Sequence, residues 1–519
     1  MKLKFLFFSL ISLSTFIAIY FYKPSTTVIP QTVEAQTPNT DWPQLQHDPQ
    51  RTGYSNQSIR NSGSFQIKWT WHPPDRYTEI SDMAQPVISS GTVIINDATG
   101  IVYALDENTG TEKWHFATGA PIYASAAIYN NTVYVGSQNG KIYALKLSDG
   151  TSSWNNPYQT NGGIVSSPLI FNNTLIITSK DGSVYSLNPS TGAKNWSTNL
   201  QAPILTSPSA STSKNYIFVG AENLKAYALN ASTGAIVWQK QLIGDSFRYS
   251  WPVVADAQSI VFFRTEPGKP FHTMLGNPSQ ILENGRCINF NFGECNPNNT
   301  NTNCSSLNCD GKSIQSTPAD YQSEQTRIIN YLQQNTNEQT FFALDIQTGA
   351  EKYIAPILYT GGGGKWPGAP VIDTTLNKAY VIYRSYYSMF DSATTVRPYV
   401  DIAQMNISTG TITPFDCGKI GGESCKMAWE DFHLVGDEET YISAATNAVL
   451  VGSYTSLGGI YLNTSPEKSF FVVSQGNYRT PTLQNTQWSG NYASSYGNPI
   501  SAVTNGKLFY RAGLLGMMQ

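Results

Sequence analysis

A twelve-residue phrase recurs along this chain and limits what it can fold into more than any other feature. "YALDENTGTEKW" ends at Trp114, "YALKLSDGTSSW" at Trp154, "YSLNPSTGAKNW" at Trp196 and "YALNASTGAIVW" at Trp238. The tryptophans are 40, 42 and 42 residues apart, and a period of roughly 40 to 50 residues marks an array of units that bury their core by stacking. Between the tryptophans the chain alternates with a period of two, as in "APIYASAAIYNNTVYVGSQNGKIYAL" from Ala120 to Leu145. Short runs rich in Val, Ile and Tyr are cut by Asn-Asn and Asn-Gly, which tolerate positive φ and favour tight hairpins. Four antiparallel strands per period predict an all-β fold, a β-propeller, and exclude a helical solenoid.

Later units are degenerate but countable. "WPVVADAQSIVFFR" (Trp251 to Arg264) with "FFALDIQTGAEKY" (Phe341 to Tyr353) makes a fifth, in which Tyr353 replaces the tryptophan. Residues 368–384 with 400–415 make a sixth, and residues 440–463 a seventh. An eighth begins at Gly497 and lacks its last strand, which "FQIKWTW", Phe65 to Trp71, is expected to supply. Strands from both termini in one blade would close the ring and remove exposed edges. The expectation is therefore an eight-bladed propeller over residues 41–519, with a Cys-bearing insertion at about 265–338.

Charged residues make up 13% of the chain and the net charge is −3. With no basic stripe, nucleic acid is excluded as a partner class. Residues 1–40 read as a signal or anchor segment and a linker. Lys2 and Lys4 precede an uncharged apolar run from Phe5 to Tyr22, either a signal-peptide core or a short membrane span. Both place the rest of the chain outside the cytoplasm, as a surface, periplasmic or secreted protein, with the membrane held through residues 5–22 if the segment is not cleaved.

An even number of cysteines in an exported chain favours disulfides. Cys287, Cys295, Cys304 and Cys309 form one cluster, open to three connectivities, and Cys417 and Cys425 a second. No C-x-x-C spacing or histidine sits inside the first cluster, which speaks against zinc.

The repeats resemble those of the pyrroloquinoline-quinone-type (PQQ-like) propeller family, whose units run from an alternating strand pair to a "YALD…TG…W" phrase. The segment "DWPQLQHDPQRTGYS", Asp41 to Ser55, resembles the usual lead-in to such propellers. The resemblance implies that Trp114, Trp154, Trp196 and Trp238 dock between neighbouring blades, with Gly110, Gly150, Gly192 and Gly234 in the turns. It also implies two functions. One is a scaffold of the outer-membrane assembly type, although no cysteine before Cys287 could carry a lipid. The other is a quinoprotein dehydrogenase of alcohols or sugars, using PQQ and calcium.

The dehydrogenase reading lacks a Cys-Cys pair and a C-x-x-C-H haem motif in this sequence. Its weak candidates are Trp251 and Trp366 for the quinone floor, and Glu430 and Asp437 for calcium. Glu430, Asp431, Asp437, Glu438 and Glu439 form a local acidic cluster. There is no G-x-S-x-G and no H-E-x-x-H, and "GGGGKW" at Gly361 to Trp366 has Trp where a phosphate loop needs Ser or Thr. No catalytic residue is assigned.

Strand reversal puts the second-to-third loops and the inter-blade connections on one face, and the "TG" turns on the other. From the fifth unit onward the long segments all fall on the first face: residues 265–338, 385–398, 359–368, 416–431 and 476–497. Long loops in compact domains are usually functional. Tyr386, Tyr387, Trp366, Trp429, Trp488, Tyr492 and Tyr496 on these loops could bind a sugar or peptide, or pack the loops onto the propeller. The reading adopted is a monomeric, non-catalytic scaffold that binds protein or surface polysaccharide through the loop-rich face of blades 5–8 and needs no cofactor.

Overall fold

A computed structural model describes residues 27–32, 41–59, 83–248, 250–266, 279–281, 287–289, 318–357, 369–373, 375–385, 390–392, 395–396, 399–415, 441–453, 456–463, 468–474, 501–504 and 507–512, with a few more between 68 and 81. Among these, seven four-stranded antiparallel sheets follow one another along the chain. Their first strands are Val87–Ser89, Ala127–Tyr129, Leu169–Phe171, Ser209–Ser211, Val253–Ala255, Val371–Asp373 and Tyr441–Ala445. The first strands of the first to third sheets touch in succession, as do those of the fourth to seventh, so they line an axis from which the sheets radiate. This is a β-propeller.

The hairpins form where the turn chemistry dictates. Asn130 and Asn131 both have positive φ, 47° and 56°, joining Ala127–Tyr129 to Thr132–Gly136 with the twist that antiparallel strands require. Second and third strands carry the burial. Val93, Ile94, Ile95, Val102 and Leu105 are at most 1% exposed, because these strands are covered on both faces by neighbouring sheets.

In the fifth sheet the chain leaves after Ile260–Arg264 and returns at Phe341–Asp345, and the two strands pair in register from Ile260 with Asp345 to Arg264 with Phe341. The insertion thus opens between the second and third strands of this sheet. Part of the insertion is not loop: Pro318–Gln334 forms a helix, α1. Its Ile328 and Leu332 are buried. Gln325 donates from Nε2 to the carbonyl of Ile412 (2.7 Å) and accepts at Oε1 from the Ile412 N–H (2.8 Å). One carboxamide therefore stands in for a neighbouring strand at the outer edge of the sixth sheet, which is a way of blunting an open edge.

Two local features differ from expectation. Trp154 lies outside the fourth strand of the second sheet, which is only Tyr158–Gln159. Two extra residues separate Trp154 from the strand end, and Pro157 among them has no N–H for a ladder. The last sheet is three-stranded, with Ala502–Thr504 beside Lys507–Ala512 and Lys507–Ala512 beside Thr27–Thr32. The strand on Lys507–Ala512 thus comes from within the segment read as linker. Most of Phe65–Trp71, expected to fill the sheet, lies outside the described residues, as do residues 1–26. Among the described residues no helix is long and apolar enough to cross a membrane.

Candidate functional site

The tryptophan phrase builds one joint repeatedly. The Trp114 indole N–H donates to the Leu147 carbonyl of the next sheet (2.9 Å), Trp154 to Pro189 (2.8 Å), Trp196 to Ala231 (2.9 Å) and Trp238 to Ile346 (2.8 Å). Each ring lies against the glycine of the next "TG" turn. At Gly150 a Cβ would sit 2.6 Å from the Trp114 ring, and φ is +70°, so geometry and space both call for glycine. Tyr353 serves in the same way, its hydroxyl donating to Ile407 and its ring against Gly410. A sixth joint was not singled out in the sequence. Trp69 donates to the Glu107 carbonyl (3.2 Å) and its ring covers Gly110. These aromatic residues are engaged in sheet-to-sheet packing.

The axis is filled by the chain itself. Residues 42–55 cross the first strands of all seven four-stranded sheets in sequence order. Trp42 exchanges backbone bonds with Ile88, Pro43 accepts from Ile128, Pro49 from Ala210, Gln50 from Val254, Thr52 from Ile372 and Gly53 from Ala444. The third sheet is reached by a side chain, the Gln44 Oε1 accepting from Ile170 (3.0 Å). At the centre Arg51, 0% exposed, donates to the carbonyls of Leu45, Pro168 and Pro208 at 2.7 to 3.0 Å. Burial pulls its guanidinium down to about 9, against the attraction of Asp48, which leaves it cationic at neutral pH.

A polar belt runs beside this hub. The Gln85 N–H donates to Ser125 Oγ, the Ser125 N–H to Ser167 Oγ and the Ser167 N–H to Ser207 Oγ, at 2.8 to 3.0 Å. Neighbouring sheets are thereby linked around the axis. The sequence signal is a serine two residues before the first strands of the second, third and fourth sheets, with Gln85 in that place in the first, and the tryptophan period overshadows it.

At the root of the insertion stands an ionic cluster. Glu266, where the insertion begins, is 5% exposed, and its carboxylate lies 3.4 Å from Arg248 Nε. Burial raises its pKa most; Arg248 and Arg264 oppose this, while Asp245 and Glu222 add to it. Glu222 accepts from the Ser246 hydroxyl and the Phe247 N–H. The cluster holds the connection between the fourth and fifth sheets against the place where the long loop departs.

Trp251 is 2% exposed within an apolar cluster that includes Leu45, Phe262 and Phe341. Trp366, Glu430, Asp437 and the rest of the acidic cluster lie outside the described residues, as do Tyr386, Tyr387, Trp429, Trp488, Tyr492 and Tyr496. Cys287 falls in the strand Cys287–Asn289; Cys295, Cys304, Cys309, Cys417 and Cys425 are outside. Among the described residues no group of three or more His, Cys, Asp or Glu converges as a metal site would.

Residues 98–268 match the family described as outer membrane protein assembly factor BamB. A search of curated proteins gives no match. Among solved structures, a quinohemoprotein alcohol dehydrogenase from Comamonas testosteroni superposes with a TM-score of 0.50 at 12% identity, over 92% of this chain and 81% of that one. A europium-containing methanol dehydrogenase gives 0.51 at 11% identity, over 91% and 90%. BamB from Moraxella catarrhalis gives 0.45 at 12%, over 84% and 98%. At these identities the likeness to the two dehydrogenases shows the fold alone. Repeat phrase and sheet geometry agree on a β-propeller, and within it residues 98–268 are similar to the BamB-type PQQ-like repeats.

Proposed function

We propose that the protein is an exported, non-catalytic propeller that binds another macromolecule, protein or surface polysaccharide, through the loop-rich face of its later blades. The observation that carries this reading is the axial hub. Residues 42–55, with Arg51 at their centre, occupy the space where the first strands converge, so recognition falls to the faces. The face bearing the insertion is also the one whose loops lengthen while the joints beneath them stay the same.

The ring is read as eight-bladed. Trp69 on Gly110 and the Lys507 ammonium 2.9 Å from Glu107 tie both ends of the chain to the first sheet, which supports closure of the eighth blade by N-terminal segments. The six cysteines are read as disulfides that brace the insertion and the 416–431 loop. The competing reading, a PQQ- and calcium-dependent dehydrogenase, rests on likeness of fold.

The test is partner capture from envelope extracts with the full chain and with a variant in which residues 267–317 are replaced by a short linker. The reading expects capture to be lost in the variant and kept in Trp154→Phe. Equal capture by both would remove the insertion-bearing face from the account.

A further inference from the structure

Opposite the loop-rich face, a cavity of about 350 Å³ opens where the hub segment leaves the axis. Its wall includes His47, Asp48, Tyr54, Asn56, Asp373 and Leu376. Asp373 ends the first strand of the sixth sheet and Leu376 lies in the turn after it; His47, Asp48 and Tyr54 belong to the hub, and Asn56 follows it. Two carboxylates and one imidazole leave the wall net negative at neutral pH, and neither lysine nor arginine lines it.

The carboxylate of Asp373 is only partly used. The residue is 1% exposed. Its Oδ1 accepts from the Thr375 N–H (2.8 Å), the Thr375 hydroxyl (2.6 Å) and the Leu376 N–H (3.2 Å). Oδ2 accepts from no described residue. That oxygen is therefore left open to the cavity that Asp373 lines, where a cationic ligand could answer it. On the same wall stands His47, whose Nδ1 is buried without a hydrogen bond, 3.6 Å from Asp48 Oδ2. Asp48 itself is held by the Thr52 N–H (3.0 Å) and hydroxyl.

We infer that this cavity binds a primary alkylammonium group, the end of a lysine side chain or of a free aliphatic amine. An ammonium carries three donors on a compact centre and suits single oxygens offered from different directions: Asp373 Oδ2, Asp48 and the Tyr54 hydroxyl oxygen. A guanidinium fork prefers both oxygens of one carboxylate, and Asp373 has committed one of them to its turn. Calcium takes six to eight oxygens, more than two carboxylates that are largely engaged can offer. Leu376, 56% exposed, provides apolar surface for the methylenes behind the charge.

The experiment is calorimetric titration of the full chain with n-pentylamine, with the lysine mimic Nα-acetyl-lysine amide, and with n-pentanol as the neutral isostere. One site is expected, with pentanol at least tenfold weaker than the amine. Asp373→Asn keeps the Oδ1 acceptor of the turn and removes the charge, so it should weaken amine binding about tenfold or more while the thermal midpoint stays near that of the parent. Asp48→Asn serves in the same way if the first variant is unstable. Tighter binding of the lysine derivative identifies a partner's lysine as the source, and tighter binding of pentylamine a free amine. Equal binding of pentylamine and pentanol, no binding of either amine, or binding of calcium in their place would overturn the assignment.

Discussion

The first four sheets and the fifth and sixth are built on the same joint and differ almost wholly in what hangs from it. In the first four, loops on both faces are short. In the fifth and sixth the joint is a tyrosine where the others use tryptophan, yet the bond to the next carbonyl and the ring-on-glycine contact are both kept. Joint and loop thus vary independently in this molecule. A propeller can carry long insertions at the second-to-third loop because the strands on either side, Ile260–Arg264 and Phe341–Asp345, are already paired in register. The length of a loop closed by paired ends costs little.

Breaking the hub should have the largest effect, since both regions share it. Arg51→Ala leaves three buried carbonyls without a donor and a cavity at the centre, and is expected to cost about 3–5 kcal/mol, read as a lower midpoint in denaturant. A loss below about 1 kcal/mol would show that the blades hold without it.

The comparison of joints comes next. Trp154→Ala and Tyr353→Ala should each cost about 3–5 kcal/mol if the joints are equivalent in the two regions, whereas a much smaller loss at Tyr353 would make the later joint ornamental. Tyr353→Phe sharpens the point, because it keeps the ring and removes only the bond to Ile407. About 1 kcal/mol is expected.

Gln325→Ala tests whether the helix of the insertion caps the sixth sheet. A loss of about 1–2 kcal/mol, with faster amide exchange at Ile412, would support the cap; unchanged exchange there would not.

The smallest effect concerns acid. Asp256 links the fourth and fifth sheets, accepting from the Ser211, Thr212 and Ser213 hydroxyls and the Thr212 N–H. Burial works to raise its pKa, but these bonds together pull it below the usual carboxylate range. A folded pKa below the unfolded one stabilises above the unfolded value, near 4, and that contribution is lost as pH falls through the folded value. Asp256→Asn should therefore flatten the stability profile below about pH 4 and leave its shape at pH 7 unchanged. An unaltered acid limb would remove Asp256 from the account.

Much of this was legible in the sequence, and the reason is periodicity. Trp114, Trp154, Trp196 and Trp238 announce their unit because each recurs with a glycine four residues before it, and the Asn-Asn turns announce the hairpins. Residues 42–55 have no such signature. Their contacts with the seven sheets come from single, irregularly spaced residues, so no pattern within the segment reveals where it goes or that Arg51 is buried. Gln325 and α1 were hidden for a related reason, since the polar composition of the insertion reads as loop until a helix finds a sheet edge to pack on. Thr27–Thr32 is a six-residue strand with a proline in it, too short and too interrupted to stand out. Trp251 shows the converse. An aromatic residue placed early in a unit suggests a ligand platform, and the structure places it in the core against Phe262 and Leu45.

The claim that function lies on the loop-rich face, and that the axis belongs to the fold, is tested most directly by calorimetric titration of the full chain with PQQ in the presence of calcium, followed by a dye-reduction assay with alcohols and aldoses. The account predicts no stoichiometric binding and no turnover. One quinone bound per chain, dependent on calcium and accompanied by dye reduction, would contradict it and make the protein a dehydrogenase.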